Sequence, residues 1–132
     1  MTVRRINPED LAPAVGFSHA VVAEGSTIVF LAGQTALNPD GEIVGSTIVE
    51  QFERVMGNLL RSLEVAGGTP SQLAKLTIYC VDPADYRANA RAIGKVWQRL
   101  AGRDYPAMTL VGVTRLWDDD AMIEIEGLAV IA

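Results

Sequence analysis

Two predicted strands carry apolar residues on both faces, and this feature limits the possible folds more than any other in the chain. In the first, Ile28 and Phe30 share one face while Val29 and Leu31 share the other, because side chains alternate along a strand. The run at residues 107–113 is apolar on both faces in the same way. A sheet built from such strands must be covered on both sides.

The sequence predicts only two helices to cover that sheet. The first begins at a capping box formed by Thr47 and Glu50, continues as an apolar stripe at helical spacing, and ends before Gly67. The second begins at Asp82 and ends before Gly102. Two helices cover only one face of the sheet. We therefore expect other copies of the chain to cover the second face, in a closed symmetric oligomer.

The predicted elements follow the order ββαβαββ, which indicates an α+β fold in one domain spanning residues 1–132. We expect one mixed six-stranded sheet with both helices on one face. The turn at Gly25 favours a hairpin between the second and third strands, and the acidic linker after residue 117 favours another between the last two. The strands are predicted at residues 3–6, 18–24, 27–32 and 73–81 and in the two halves of residues 105–129.

The last predicted strand places two carboxylates in an otherwise apolar row. Glu124 and Glu126 share a face with Met122 and Leu128. A buried carboxylate is costly unless it is paired, hydrogen-bonded or neutralised. This face therefore either meets water at that point or lines a site. We expect Glu126 to pair with Arg115 across the terminal hairpin.

Composition argues against several classes of partner. The net charge of −5 and the lack of a basic stripe disfavour a nucleic-acid partner. No stretch approaches the roughly 20 apolar residues of a membrane span, and the N-terminus lacks a signal-peptide pattern, so the cytoplasm is the predicted compartment. One cysteine, Cys80, and one histidine, His19, do not make a zinc set. We expect no metal and no cofactor.

Several short motifs occur in a fixed order along nearly the whole chain. They are residues 12–20, Leu31-Ala32-Gly33-Gln34, residues 41–45, Asn58-Leu59-Leu60, Ala66-Gly67-Gly68, residues 75–79, Tyr105-Pro106-Ala107, residues 113–116 and Ile123-Glu124-Ile125-Glu126. Each motif alone is weakly diagnostic. In this order and spacing they resemble the YjgF/RidA family of reactive-intermediate (imine/enamine) deaminases.

This resemblance implies a chorismate-mutase-like α+β fold and a homotrimer with a small-molecule cleft at each subunit interface. Family members with the activity hydrolyse 2-imino or enamine acids to 2-keto acids and release ammonia, without a metal or cofactor. In them an arginine after the Pro-Ala pair binds the substrate carboxylate. The first glutamate of the Ile-Glu-Ile-Glu motif handles the attacking water.

The family's functional residues carry over only in part. Glu124 matches the catalytic glutamate and Gly33 matches a glycine that lines the cleft. Met108 occupies the arginine position, directly after Ala107, and Phe17 occupies the position of a cleft tyrosine. The resemblance therefore predicts Glu124 as the catalytic residue and Phe17, Gly33, Ala107 and Met108 as substrate-binding residues.

The methionine changes the expected chemistry, because a thioether cannot replace the bidentate, charge-assisted pair between arginine and carboxylate. Losing one partner of a buried charge pair costs roughly 2–5 kcal/mol. That cost corresponds to a loss of about thirtyfold to several-thousandfold in binding. We therefore do not expect Met108 to support efficient deamination of 2-imino acids. Two hypotheses stay open: a divergent deaminase of a less anionic imine or enamine, or a non-catalytic trimer that binds a metabolite or acts as a scaffold.

Overall fold

The computed structural model describes residues 3–132 and confirms the α+β class with a mixed sheet. A short 3₁₀ turn at Pro70–Gln72 precedes the fourth strand. The strands are β1 Val3–Ile6, β2 Ala20–Ala23, β3 Thr27–Gln34, β4 Leu73–Cys80, β5 Ala107–Gly112 and β6 Ile123–Ile131. The helices are α1 Ile48–Val65, α2 Pro83–Ala88 and α3 Ala90–Ala101.

The N-terminus of α1 forms as predicted. The Thr47 hydroxyl accepts a hydrogen bond from the Glu50 N–H, and the Glu50 carboxylate accepts one from the Thr47 N–H. These bonds satisfy backbone donors that the first helical turn leaves free. Hydrogen bonds from Ser46 and Thr47 lower the pKa of the Glu50 carboxyl, the Ser46 side-chain bond being the largest cause.

The strands divide into two sheets within residues 3–132, whereas a single six-stranded sheet was expected. The larger sheet has the order β3-β6-β4-β5, in which β4 and β5 run parallel and the other neighbours run antiparallel. The smaller sheet contains β1 and β2. A single bridge between Ser18 and Ala107 links the segment before β2 to β5.

Neither predicted hairpin forms, so both strand pairings inferred from turns were wrong. β2 pairs with β1 instead of β3, and β6 lies between β3 and β4 instead of beside β5. A turn residue specifies where the chain reverses but not which strand becomes the neighbour. Here the chain from β4 through α2 and α3 returns as a parallel crossover to β5.

The second predicted helix is interrupted, which gives three helices within residues 3–132. Asn89 lies at the break, and its side-chain amide donates to the carbonyl oxygen and to the carboxylate of Asp85. Asparagine side chains compete with the helix backbone for hydrogen bonds in this way. α3 then continues from Ala90 to Ala101 and buries Ile93, Val96 and Trp97.

The helices cover one face of the larger sheet and leave the other open. Leu76, Ile78 and Ile125 point toward the helices and belong to the buried core. On the opposite face Phe30 is 77% exposed and Ile28 is 57% exposed. One chain therefore leaves an apolar sheet face uncovered, as the sequence pattern predicted. None of the helices within residues 3–132 combines the length and apolarity needed to cross a membrane.

Candidate functional site

The carboxylate of Glu124 lies directly over Gly33. The pairing of β3 with β6 is irregular between Leu31 and Gln34, and Gly33 lies in this irregular segment. A Cβ atom placed on Gly33 would lie 2.1 Å from Oε2 of Glu124, which is closer than any real contact. Glycine is therefore required at this position for Glu124 to keep its place. The structure brings these two predicted site residues together on the open face of the sheet.

We expect Gly33→Ala to displace the side chain of Glu124. The atom that would clash, Oε2 of Glu124, is the end of a flexible side chain. The loss in free energy of unfolding should therefore be smaller than the roughly 1–3 kcal/mol typical of an overpacked core. The carboxyl ¹³C chemical shift of Glu124 and urea unfolding measure the two effects. Gly57→Ala is the control, because it has open space around it in α1 and should stabilise the helix by about 0.5–1 kcal/mol. An unmoved Glu124 signal in Gly33→Ala would contradict the contact.

The start of β6 is held by a buried amide. The Gln51 side chain donates to the carbonyl oxygens of Gly45 at 3.1 Å and Asp120 at 3.0 Å, and accepts from the Met122 N–H at 2.9 Å. Gln51 is 1% exposed, so these bonds are shielded from water. Since Glu124 follows Met122 by two residues, this clamp fixes the backbone that carries the candidate catalytic carboxylate.

Tyr79 lies beside both glutamates of the last strand. It is opposite Glu124 in the pairing of β4 with β6, and its hydroxyl donates to Oε2 of Glu126 at 3.3 Å. Desolvation, followed by the charges of Glu126 and Glu124, raises the pKa of the Tyr79 hydroxyl. The Tyr79 hydroxyl therefore stays protonated near neutral pH and donates a hydrogen bond to the Glu126 carboxylate. The expected Glu126–Arg115 pair was wrong, since Arg115 forms an ion pair with Asp119 at 2.8 Å.

The remaining predicted site residues lie on different sides of the sheet. Met108 is opposite Leu76 in the pairing of β4 with β5, so its side chain points toward the helices. Ala107 precedes Met108 in β5, so its side chain points to the opposite, open face of the sheet. Phe17 lies before β2 and packs edge-on against His19, with ring centroids 5.0 Å apart. One chain by itself therefore does not bring Met108 and Glu124 together.

Met108 lines a cavity of about 210 Å³ between β5 and the helices. Its walls are apolar or aromatic and include Phe52, Tyr86, Ile93, Trp97 and Tyr105. Burial, followed by the proximity of Cys80 and then Tyr105, raises the pKa of Tyr86 to about 12. Burial also raises the pKa of Tyr105. Both phenols are therefore neutral near pH 7.

The sequence did not reveal this aromatic cavity. Tyr86 and Trp97 fall on the apolar stripe of the second predicted helix, where a packing role is the ordinary expectation. The position of Tyr105 in the sequence could have indicated the cavity, since it is a third aromatic residue and lies two places before Ala107. Only the crossover from β4 to β5 brings that residue against the helix.

Potential metal ligands do not cluster in the described part of the chain. Residues 3–132 contain no cluster of three or more histidine, cysteine or acidic side chains able to hold a metal ion. Nε2 of His19 lies 2.7 Å from the carbonyl oxygen of Ala12, a hydrogen-bond contact to the backbone. The candidate site therefore consists of a carboxylate beside Gly33 and a separate aromatic cavity beneath Met108.

Comparison with known proteins identifies similar chains. A family model described as Endoribonuclease L-PSP matches residues 8–131. A RutC family protein from Pyrococcus abyssi is 33% identical over 123 residues, covering 92% of this chain and 89% of that protein. Reactive Intermediate Deaminase A, chloroplastic, from Arabidopsis thaliana is 28% identical over 121 residues, covering 91% of this chain and 62% of that protein.

A solved structure is also similar over the whole chain. The crystal structure of YyfB from Yersinia pestis, a protein of the conserved Rid family, has a TM-score of 0.88 and 37% sequence identity. The match covers 99% of this chain and 100% of that one. The two chains therefore share one architecture from end to end.

Proposed function

Because this chain belongs to the YjgF/RidA family, we propose that three copies enclose small-molecule clefts and hydrolyse an imine or enamine in them. Glu124 activates the attacking water in this proposal. Gly33, Phe17, Ala107 and Met108 contact the substrate. The reaction uses no metal and no cofactor, and a small molecule is the only partner besides the other copies.

The contact between Glu124 and Gly33 on an exposed apolar sheet face is the observation that supports this proposal. Glu124 is half-buried already in one chain, and no ion pair within residues 3–132 includes it. Phe30 and Ile28 lie exposed on the same face. A second copy covering these side chains would shield Glu124 from water, and a shielded carboxylate is suited to general acid–base catalysis.

The sheet order supports a site shared between copies. β3, with Gly33, and β5, with Met108, are the two edge strands of the larger sheet. Within one chain the two edge strands are three strand spacings apart, and at roughly 4.8 Å per spacing this distance is about 14 Å. In a closed head-to-tail ring, the β3 edge of one copy approaches the β5 edge of the next. Glu124 and its contact with Gly33 would then lie near β5 of the neighbouring copy, the strand that carries Met108.

The proposed reaction is hydrolysis of a carbon–nitrogen double bond. Glu124 takes a proton from water while the water oxygen attacks the imine carbon and the carbon–nitrogen π electrons move to nitrogen. The proton then passes from Glu124 to nitrogen, which gives a carbinolamine. Glu124 next moves the hydroxyl proton of the carbinolamine to its amino group, which leaves as ammonia while the carbonyl group forms. An enamine first takes a proton at its β-carbon and loses one from nitrogen, which gives the imine without a net change in protons. One water is consumed for each ammonia released.

The absence of an arginine after Ala107 shapes the substrate preference. Met108 offers no charge to a carboxylate, so 2-imino acids are expected to be poor substrates. Several relatives carry names that refer to an endoribonuclease, but the net charge of −5 disfavours a nucleic-acid substrate. A non-catalytic trimer that binds a metabolite would share this geometry, and measured turnover distinguishes the two.

Phe30→Glu tests assembly and chemistry together. Burying Phe30 contributes roughly 1.5–3 kcal/mol for each copy, and a glutamate there would place a charge in the interface. We expect the wild type to sediment as a trimer at micromolar concentration and to hydrolyse imines generated in situ. We expect Phe30→Glu to be monomeric and inactive.

Val65→Glu is the matched control for this experiment. It also places a glutamate at an exposed apolar position, 71% exposed, but at the end of α1 and away from the open sheet face. It should remain trimeric and active. A monomeric wild type, or a monomeric Phe30→Glu protein with full activity, would show that no site is shared between copies.

A further inference from the structure

The cavity beneath Met108 has the lining of a site for an uncharged ligand. We infer that it binds a neutral compound about the size of one aromatic ring, through apolar contacts and hydrogen bonds from the hydroxyls of Tyr86 and Tyr105. This inference names the substrate class of the proposed site and rests on the proposed function for its link to catalysis. Binding itself is measurable without any turnover.

The size of the cavity limits the ligand. Its volume is about 210 Å³. An apolar cavity of about 150 Å³ in a protein core holds one benzene molecule. The Met108 cavity therefore accommodates a single ring with a few further atoms, or a branched aliphatic group of equal size. A nucleotide or a fused-ring cofactor would exceed it.

The walls offer carbon surface to such a ring. Trp97 is buried and stacks on Tyr105, with ring centroids 4.9 Å apart and planes 14° from parallel. The indole N–H of Trp97 already donates to the carbonyl oxygen of Asp104 at 3.1 Å. Trp97 therefore presents only apolar ring surface to a ligand. Phe52 and Ile93, also buried, complete the apolar lining.

Two phenol hydroxyls supply the polar contacts. Among the hydrogen bonds of residues 3–132, Tyr105 takes part through its carbonyl oxygen, which accepts from Ser18, and the hydroxyls of Tyr86 and Tyr105 take part in none. The Tyr105 hydroxyl lies beside Gly94, where a Cβ would be 3.9 Å from that oxygen, an ordinary van der Waals distance. A phenol O–H is a neutral donor suited to a carbonyl oxygen, an amide oxygen or an imine nitrogen. Both hydroxyls are thus available to a ligand that carries one acceptor.

The same lining disfavours an anion. The described residues around the cavity include no lysine, arginine or histidine, and Met108 and Ala90 contribute only uncharged atoms. A carboxylate entering the cavity would lose its water without gaining a cation, whereas a neutral acceptor needs only the phenol donors. The substrate class is therefore an imine or enamine that lacks a free acid group, or carries that group as an amide or ester.

Benzamide and benzoate are a matched pair of probes, since they share shape and differ in charge. Trp97 fluorescence in a Trp117→Phe background reports binding, because Trp117 is 90% exposed and lies outside the cavity. We expect benzamide to bind at least about tenfold more tightly than benzoate. Tyr86→Phe and Tyr105→Phe should each weaken benzamide binding by about threefold to tenfold, since each removes one hydrogen bond and keeps the ring.

Met108→Arg is expected to reverse the preference in favour of benzoate, which would place the binding in this cavity. Equal affinity for the two probes, no binding of benzamide, or unchanged affinity in both tyrosine variants would overturn the inference. Circular dichroism confirms that each variant is folded. Binding with the expected preference but no imine hydrolysis would overturn the proposed function alone. Hydrolysis with tighter binding of benzoate would overturn the inference alone.

Discussion

Met108→Arg is expected to increase the hydrolysis of 2-imino acids by about thirtyfold to several-thousandfold, because it adds a cation for the substrate carboxylate. A charge pair of this kind is worth roughly 2–5 kcal/mol when one partner would otherwise stay buried and unpaired. Since each ~1.4 kcal/mol corresponds to a tenfold change, this energy range converts to the expected gain in kcat/KM. An amino-acid oxidase generates the imino acid in situ, and its loss is followed with and without the protein.

Met108→Leu is the control for this gain. It keeps the volume and apolarity of the side chain, so it should cost less than about 1.5 kcal/mol of stability and leave the low 2-imino-acid activity unchanged. A wild-type activity that already matched that of an arginine-bearing relative would show that the cation is not needed. A Met108→Arg protein that folded, bound benzoate and gained no activity would contradict the expected gain.

Glu124→Gln is expected to lower the rate of imine hydrolysis by about 10²–10⁴, the usual contribution of a general acid–base group. Glutamine keeps the shape of the side chain over Gly33 but cannot take a proton from water. The loss should therefore appear in kcat, while the affinity for benzamide should stay close to that of the wild type. Stopped-flow kinetics and the binding titration measure the two quantities separately.

Glu126→Gln is the matched control, because Glu126 lies two residues further along the same strand and on the same face. Its carboxylate accepts a hydrogen bond from Tyr79, which a glutamine side-chain oxygen can also accept. The rate should therefore change little. A wild-type rate in Glu124→Gln, or equal losses in the two variants, would remove Glu124 from its proposed role.

Local sequence patterns were sufficient where the interactions they describe are local. The capping box of Thr47 and Glu50 forms as predicted, because its partners lie within one helical turn. The alternation in β6 placed Glu124 on the open face, because the period of a strand does not depend on its neighbours. The resemblance named Glu124 and Gly33 as site residues, but their direct contact came only from the structure, since the two residues are distant along the chain.

The pairing of the strands and the length of the second helix were predicted wrongly. The turn at Gly25 predicted a hairpin, yet β2 pairs with β1, because a turn sets the direction of the chain and not the pairing of its strands. The second helix is broken at Asn89, whose side-chain amide donates to the Asp85 carbonyl oxygen in addition to the backbone N–H of Asn89. Helical periodicity continues on both sides of the break, so the sequence pattern alone predicted one helix.

The sequence by itself determined the α+β class, the helix start at Thr47 and the two-sided apolar character of the strands. It also places Met108 directly after Ala107, where the family resemblance implies an arginine. Only the tertiary structure decided that β6 lies between β3 and β4, and that Met108 and Glu124 point to opposite faces of one sheet. The physical reason is that helix caps and strand alternation act between near neighbours. The order of the strands, and which face of the sheet is buried, depend on how apolar surface is buried over the whole chain.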